Sequence, residues 1–138
     1  MVKHETTNDA HKDLLTNKPR VIHSSPLSRL WYKEDTKFLL PKAVLKFELR
    51  NPLVYLDPVN VNMANLYVEL LKDSLTEYSY MAELAGLKYS LNATNYGLSV
   101  SVSGFSDKMD VLLETVVERM ASLRIDPQRF AILKVCFL

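Results

Sequence analysis

The sequence predicts an α+β fold, an antiparallel β-sheet with helices packed on one face, and three observations carry that expectation. Residues 57–87 repeat apolar side chains at steps of three and four, the signature of an amphipathic helix. The period then falls to two through residues 87–102, as in a half-buried hairpin. A second helical stripe follows from Met109.

The long helical stretch begins at Asp57, whose carboxylate can accept from a free backbone N–H, and at Pro58, which has no N–H to leave unpaired. Met63, Tyr67, Leu71, Leu75, Tyr78, Ala82 and Ala85 form its apolar stripe, widened by Leu66 and Leu70, and Gly86 supplies a C-terminal stop. Inside it, Ser74, Leu75, Thr76 and Glu77 read as the capping box S-x-x-E, which predicts two consecutive helices meeting near Asp73.

Upstream, residues 1–26 are polar, punctuated by Pro19 and Pro26, and read as a linker or disordered arm; residues 27–138 read as the folded part. Strands are expected at 30–33 and 43–50. In the second, Leu45, Phe47 and Leu49 alternate with Lys46, Glu48 and Arg50, so one face is dry and the other wet. Downstream, Leu87, Tyr89 and Leu91 alternate with Lys88 and Ser90, a turn is expected at 92–95, and Leu98, Val100 and Val102 alternate with Ser99, Ser101 and Ser103. Ser106 or Asp107 can cap the next helix, whose stripe is Met109, Leu112, Leu113, Val116, Met120 and Leu123. Asp126 and Pro127 open a last helix with Phe130, Leu133 and Phe137 on its stripe. It carries no stop signal, so the natural fold is expected to continue past Leu138, and the chain alone is expected to be marginally stable and to expose a sheet edge.

At 138 residues the chain is sized for one domain. Seventeen basic against sixteen acidic side chains leave a net charge of +1 without a basic cluster, which argues against a nucleic-acid partner. No apolar run approaches the roughly 20 residues of a bilayer span. With no secretory-type leader and the single cysteine Cys136, the chain is expected to be soluble, cytoplasmic and free of internal disulfides.

Candidate chemistry is sparse, and no catalytic, cofactor-binding or metal-ligating residue is assigned. His4, His11 and His23 are scattered through the polar arm and lack the spacing of H-x-x-E-H or H-E-x-x-H; they read as solvated. Cys136 has no nearby histidine or second cysteine and reads as a small hydrophobe. Glu69, Glu77 and Glu83 do not converge on one point of a helix, and Gly86, Gly97 and Gly104 are too dispersed to cradle a phosphate. Asn92-Ala93-Thr94 matches a glycosylation acceptor but reads as a turn-former. Tyr78, Tyr80, Tyr89 and Tyr96 gather near the helix-to-hairpin junction, where core packing is the default and a peptide-facing patch the alternative.

Several of these stretches together resemble a known family. Leu30-Trp31-Tyr32-Lys33, Lys37-Phe38, Leu40-Pro41-Lys42-Ala43, Glu69-Leu70-Leu71-Lys72-Asp73-Ser74-Leu75, Glu77-Tyr78 and Ala82-Glu83-Leu84-Ala85-Gly86-Leu87 are similar to the insulysin-like members of the pitrilysin family of zinc metallopeptidases, over residues 27–130. Nardilysin-like members are the alternative. The resemblance implies the end of an interdomain linker and the first part of the third of four related α+β domains, which enclose a chamber and cut peptides such as insulin-like hormones. It implies zinc in the intact enzyme, on an H-x-x-E-H motif of the first domain, and none in this chain. The implied partners are the other domains of the same peptidase, peptide substrates and a homo-oligomer of the intact enzyme, with neither nucleic acid nor membrane. The chain by itself is expected to be inactive, a wall of the chamber; a stand-alone non-enzymatic peptide- or protein-binding module is the second reading.

Overall fold

The computed structural model describes residues 18–135, and the chain divides into two compact units, Met1–Leu40 and Pro41–Leu138. His4, His11, Cys136 and Phe137 therefore lie outside the described residues.

In the first unit, β1 (Arg20–Ser24) and β2 (Arg29–Tyr32) form an antiparallel hairpin with Val21 opposite Trp31 and Ser24 opposite Arg29. β1 falls in the stretch expected to be a linker or disordered arm. Its short run Val21-Ile22 is too brief to show a period, and the strand is organised by pairing with β2, which sequence alternation does not report. Ser25 and Ser28 close the turn: the Ser25 N–H donates to the Ser28 carbonyl at 2.8 Å and the Ser28 N–H to Ser25 Oγ at 3.0 Å.

The second unit holds β3 (Lys42–Arg50), α1 (Pro58–Leu84), β4 (Lys88–Thr94), β5 (Gly97–Phe105), α2 (Met109–Ala121) and α3 (Pro127–Val135). The sheet order is β3-β5-β4, antiparallel at both junctions, so β3 and β4 run parallel and α1 is the crossover between them. Leu45, Val102 and Tyr89 align across the three strands, as do Phe47, Val100 and Leu91, and these rows form the sheet's apolar face. Val68, Leu71, Leu75 and Ala82 of α1 and Met109, Leu112 and Val116 of α2 are buried in one core with Leu87, Leu91, Val100 and Val102. The α+β arrangement with helices on one sheet face is thus present.

α1 begins as its sequence requires. Asp57 Oδ1 accepts the Asn60 N–H at 2.8 Å, with Pro58 at the first helical position. It ends in a Schellman motif: the Leu87 N–H donates to the Ala82 carbonyl and the Gly86 N–H to the Glu83 carbonyl, both at 2.9 Å. Gly86 takes φ +75°, which a side chain would disfavour.

The expected division near Asp73 is absent: α1 is one helix of 27 residues. Ser74 does not act as an N-cap, because its Oγ donates back to the Leu71 carbonyl at 2.8 Å. Leu71 and Leu75, each 1% exposed, hold the turns on both sides of Ser74 in one phase against the core. The two ends of the stripe differ from expectation as well, since Met63 is 59% exposed and Ala85 is exposed. A helix of this length spans about 40 Å, whereas the nine residues of β5 span about 30 Å, so α1 overhangs the sheet.

Two further expectations are corrected. The hairpin turn is Asn95-Tyr96, not residues 92–95, because Asn92, Ala93 and Thr94 remain paired to Ser99, Leu98 and Gly97. Gly97 permits the tight return at φ +142°, where a Cβ would collide with the Leu49 carbonyl. Neither Ser106 nor Asp107 caps α2; they lie in a short 3-10 turn (Ser106–Lys108), and the Ser106 N–H instead donates to the Pro41 carbonyl at 3.1 Å, securing the start of β3.

α3 opens on Asp126, whose Oδ1 accepts the Gln128 N–H at 2.8 Å, and it packs against α1. Leu66, Leu70 and Asp73 share the side of α1 that α3 approaches: Arg129 binds the Asp73 carboxylate, with Nε donating to Oδ2 at 2.9 Å. The hydrogen bond from Arg129 holds the Asp73 carboxyl below its ordinary range. Tyr67 ties α1 to α2 by donating to the Met120 carbonyl at 2.8 Å.

Three outcomes follow from this packing. Leu71→Ala leaves a void in the core and lowers stability by about 2–5 kcal/mol, read by urea denaturation. Ser74→Ala changes it by less than about 0.5 kcal/mol, the range for a site without a cap; a loss of about 1 kcal/mol or more is the signature of an N-cap. The depressed Asp73 pKa adds stability above the carboxyl's unfolded pKa, and that contribution is lost as pH falls through the lower folded value. Asp73→Asn therefore removes part of the acid-side decline in a melting series.

Candidate functional site

No group of three or more His, Cys, Asp or Glu side chains converges among the described residues in a way that could hold a metal ion. His23 sits exposed in β1, aligned with Leu30, and is the one histidine among the described residues. A catalytic zinc needs three protein ligands and a neighbouring base, and the described side chains do not fit one. Glu69 is engaged by Lys72 Nζ at 2.8 Å, while Glu77 and Glu83 are exposed on α1.

Two shallow concavities are open to solvent. One, of ≈ 300 Å³, is built from the single loop 33–38, and its Asp35 carboxylate already accepts the backbone N–H groups of Lys37 and Phe38 at 3.0 Å each. Those bonds hold Asp35 ionised below the usual range, which unsuits it for proton transfer near neutrality. The other, of ≈ 440 Å³, is lined by Glu118, Arg119, Ser122 and Arg124, and its Ser122 hydroxyl donates to the Glu118 backbone carbonyl at 2.7 Å.

What the unit does present is surface of two kinds. The first is the open face of the sheet. Val44, Ser103 and Lys88 align across it, as do Lys46, Ser101 and Ser90, and Glu48, Ser99 and Asn92. Lys42 and Arg50 lie at the two ends of β3, and Arg50 Nη2 pairs with Glu48 at 3.1 Å. β3 and β4 each pair on one side only among the described residues, so both outer edges offer unpaired backbone groups. Asn92 stands on this face in β4 and is no turn-former: its Nδ2 donates to Ser90 Oγ at 3.0 Å.

The second is apolar. Val59, Met63, Leu66, Leu70, Tyr80 and Leu84 lie on one line along α1 at helical spacing, interrupted between Leu70 and Tyr80 by Asp73 and Glu77. Only its middle is covered: Leu66 and Leu70 are buried, while Val59, Met63, Tyr80 and Leu84 are between 59% and 69% exposed. Leu53, Tyr55 and Leu56 continue the exposed apolar surface just ahead of α1. In the first unit Leu27, Trp31, Phe38 and Leu39 are likewise exposed.

The tyrosines singled out by sequence divide between these roles. Tyr78 and Tyr89 are half-buried against the core; the Tyr78 hydroxyl accepts from Thr115 Oγ1 at 3.2 Å, and burial raises the Tyr89 pKa. Tyr80 and Tyr96 face solvent. Sequence alternation identifies the wet sides of β3, β4 and β5, but not that β5 lies between the other two, so the shared face of Lys46 and Lys88 was not visible in it.

Comparison with known proteins accounts for this surface-rich architecture. Residues 3–136 match the family described as the middle or third domain of peptidase M16. The chain is 52% identical over 120 residues to insulin-degrading enzyme of Homo sapiens, covering 87% of this chain and 12% of that protein. It is 35% identical over 118 residues to human nardilysin, covering 86% and 10% respectively. A crystal structure of pitrilysin superposes with a TM-score of 0.81 at 27% identity, covering 86% of this chain and 13% of that one. The chain spans about an eighth of the length of the relatives it matches. Its sequence and its fold alike place it in the M16 peptidase family, as a segment of the insulysin/pitrilysin-type middle domain.

Proposed function

We propose that this chain acts as a non-catalytic wall segment of an insulysin-like zinc metalloendopeptidase, positioning neighbouring domains and contacting peptide substrate without performing chemistry. The observation that carries this reading is the apolar line on α1, buried at Leu66 and Leu70 and bare at Val59, Met63, Tyr80 and Leu84. Apolar side chains at helical spacing are stabilising only when covered, and the nine described residues of α3 span about 14 Å against the roughly 40 Å of α1. Further polypeptide of the same protein is the natural cover, since the family relatives extend far beyond the matched segment. The free edges of β3 and β4 supply a second route of contact, by strand addition.

The intact protein would hold its zinc on another domain, act on peptides of the insulin class and reside in the cytoplasm as a homo-oligomer. The relatives' names support the peptide substrate.

A segment exchange tests the proposal. Human insulin-degrading enzyme carrying this chain's aligned residues in place of its own should retain insulin hydrolysis. The same chimera with Val59→Glu and Leu84→Glu should lose soluble assembly or activity, because two charges then oppose the interdomain contact. The purified 138-residue chain should neither cleave insulin nor retain stoichiometric zinc. Metal-dependent turnover by the chain itself, or a charged-line chimera indistinguishable from the unaltered one, contradicts the assignment.

A further inference from the structure

The charge of the second unit is sharply divided. The open sheet face carries Lys42, Lys46, Arg50 and Lys88 against Glu48, a formal +3, whereas the other side chains of residues 41–135 comprise six cations and ten anions. Arg50 is engaged by Glu48, and Lys42 Nζ lies 5.0 Å from the centre of the Phe105 ring. Lys46 and Lys88 are exposed, and neither has a carboxylate within ion-pair distance among the described residues.

The relief of the face matters as much as its charge. The central strand β5 contributes Ser99, Ser101 and Ser103 along the middle of this face, with Phe105 beside Lys42 at its end, while the flanking strands raise Val44, Lys46 and Glu48 on one side and Lys88, Ser90 and Asn92 on the other. Two strand spacings separate β3 from β4, so the walls stand about 10 Å apart over a low hydroxyl floor. That width admits one extended chain. Along β3, Lys42 and Lys46 are four residues and hence about 13 Å apart, the repeat between side chains i and i+4 of an extended peptide.

We infer that this face binds an extended acidic peptide segment lying along β5, its carboxylates meeting Lys46 and Lys88 and its polar atoms meeting the serine hydroxyls. The charge complementarity is specific to this side of the unit, since the rest of it is net acidic and repels such a ligand. The inference does not rest on the wall assignment: a failure here leaves the segment-exchange outcome untouched, and the reverse holds too. Lysines on edge strands also discourage strand-to-strand aggregation; that role needs charge but no ligand, and a binding measurement separates the two.

The test is fluorescence anisotropy of the full 138-residue chain with a labelled (Glu-Ser)6 peptide, at about 0.02 M and about 0.3 M salt. Parallel arms use labelled (Lys-Ser)6 and a single-stranded oligonucleotide of the same charge as the acidic peptide. The expected result is binding of the acidic peptide alone, weakened by salt, and weakened about tenfold or more by K46E/K88E. Circular dichroism of the double variant should match the parent, since both lysines are exposed. The inference is overturned by equal binding of the lysine peptide, by equal binding of the oligonucleotide, or by unchanged affinity in a folded K46E/K88E variant. It is overturned too if sedimentation shows the parent chain dimeric and the double variant monomeric, because the face is then taken by a second copy.

Discussion

The burial of Val68, Leu71, Leu75 and Ala82 against the apolar rows of β4 and β5 is the interaction on which the rest of this structure depends. α1 is the only connection between β3 and β4, two parallel strands separated by β5, and a crossover of that kind must lie flat on the sheet it bridges. Its end is fixed by the Schellman bonds at Gly86, which deliver Leu87 into the same core. Once α1 is seated, Tyr67 meets the C-terminal end of α2 and Asp73 meets Arg129 of α3. Both partners are thus placed by a helix that the sheet has already positioned. The exposed Asp73–Arg129 pair adds registry more than stability, because solvent screens it.

The same constraint divides the molecule's surfaces. One face of the sheet is used up by α1 and α2, which leaves the other as a polar plane with basic walls. One side of α1 is used up by the sheet, and another carries Val59, Met63, Tyr80 and Leu84 exposed on either side of the buried Leu66 and Leu70. In a peptidase family whose members are about eight times longer than the matched segment, a unit with one closed core and two open surfaces has the form of a component. Among the described residues no group of His, Cys, Asp or Glu side chains could hold a metal ion, and what the unit presents instead is surface.

Much of the architecture could be read from residue order, because its determinants are local. Asp57-Pro58 and Gly86 bracket α1, and the alternation in 43–50 and 87–102 separates wet from dry faces without reference to partners. What escaped was decided by partners. Ser74-Leu75-Thr76-Glu77 has the letters of a capping box, but the buried leucines on either side keep the helix running and the hydroxyl turns back to Leu71. Val21 and Ile22 become a strand only because β2 folds back on them. The polar face was present in the sequence as alternating Lys and Ser, yet its width and its concentration of charge depend on β5 lying between β3 and β4, a non-local pairing that no periodicity encodes.

Native-state hydrogen exchange addresses the central claim most directly, because the amides of an uninterrupted, sheet-seated helix open only when the whole core opens. The account predicts that the amides from Leu71 to Leu75 exchange at the free energy of global unfolding, together with those of Val100 and Val102 in β5. Exchange of the Leu71–Leu75 amides well below that limit, as two helical halves fraying independently around Asp73, would contradict it.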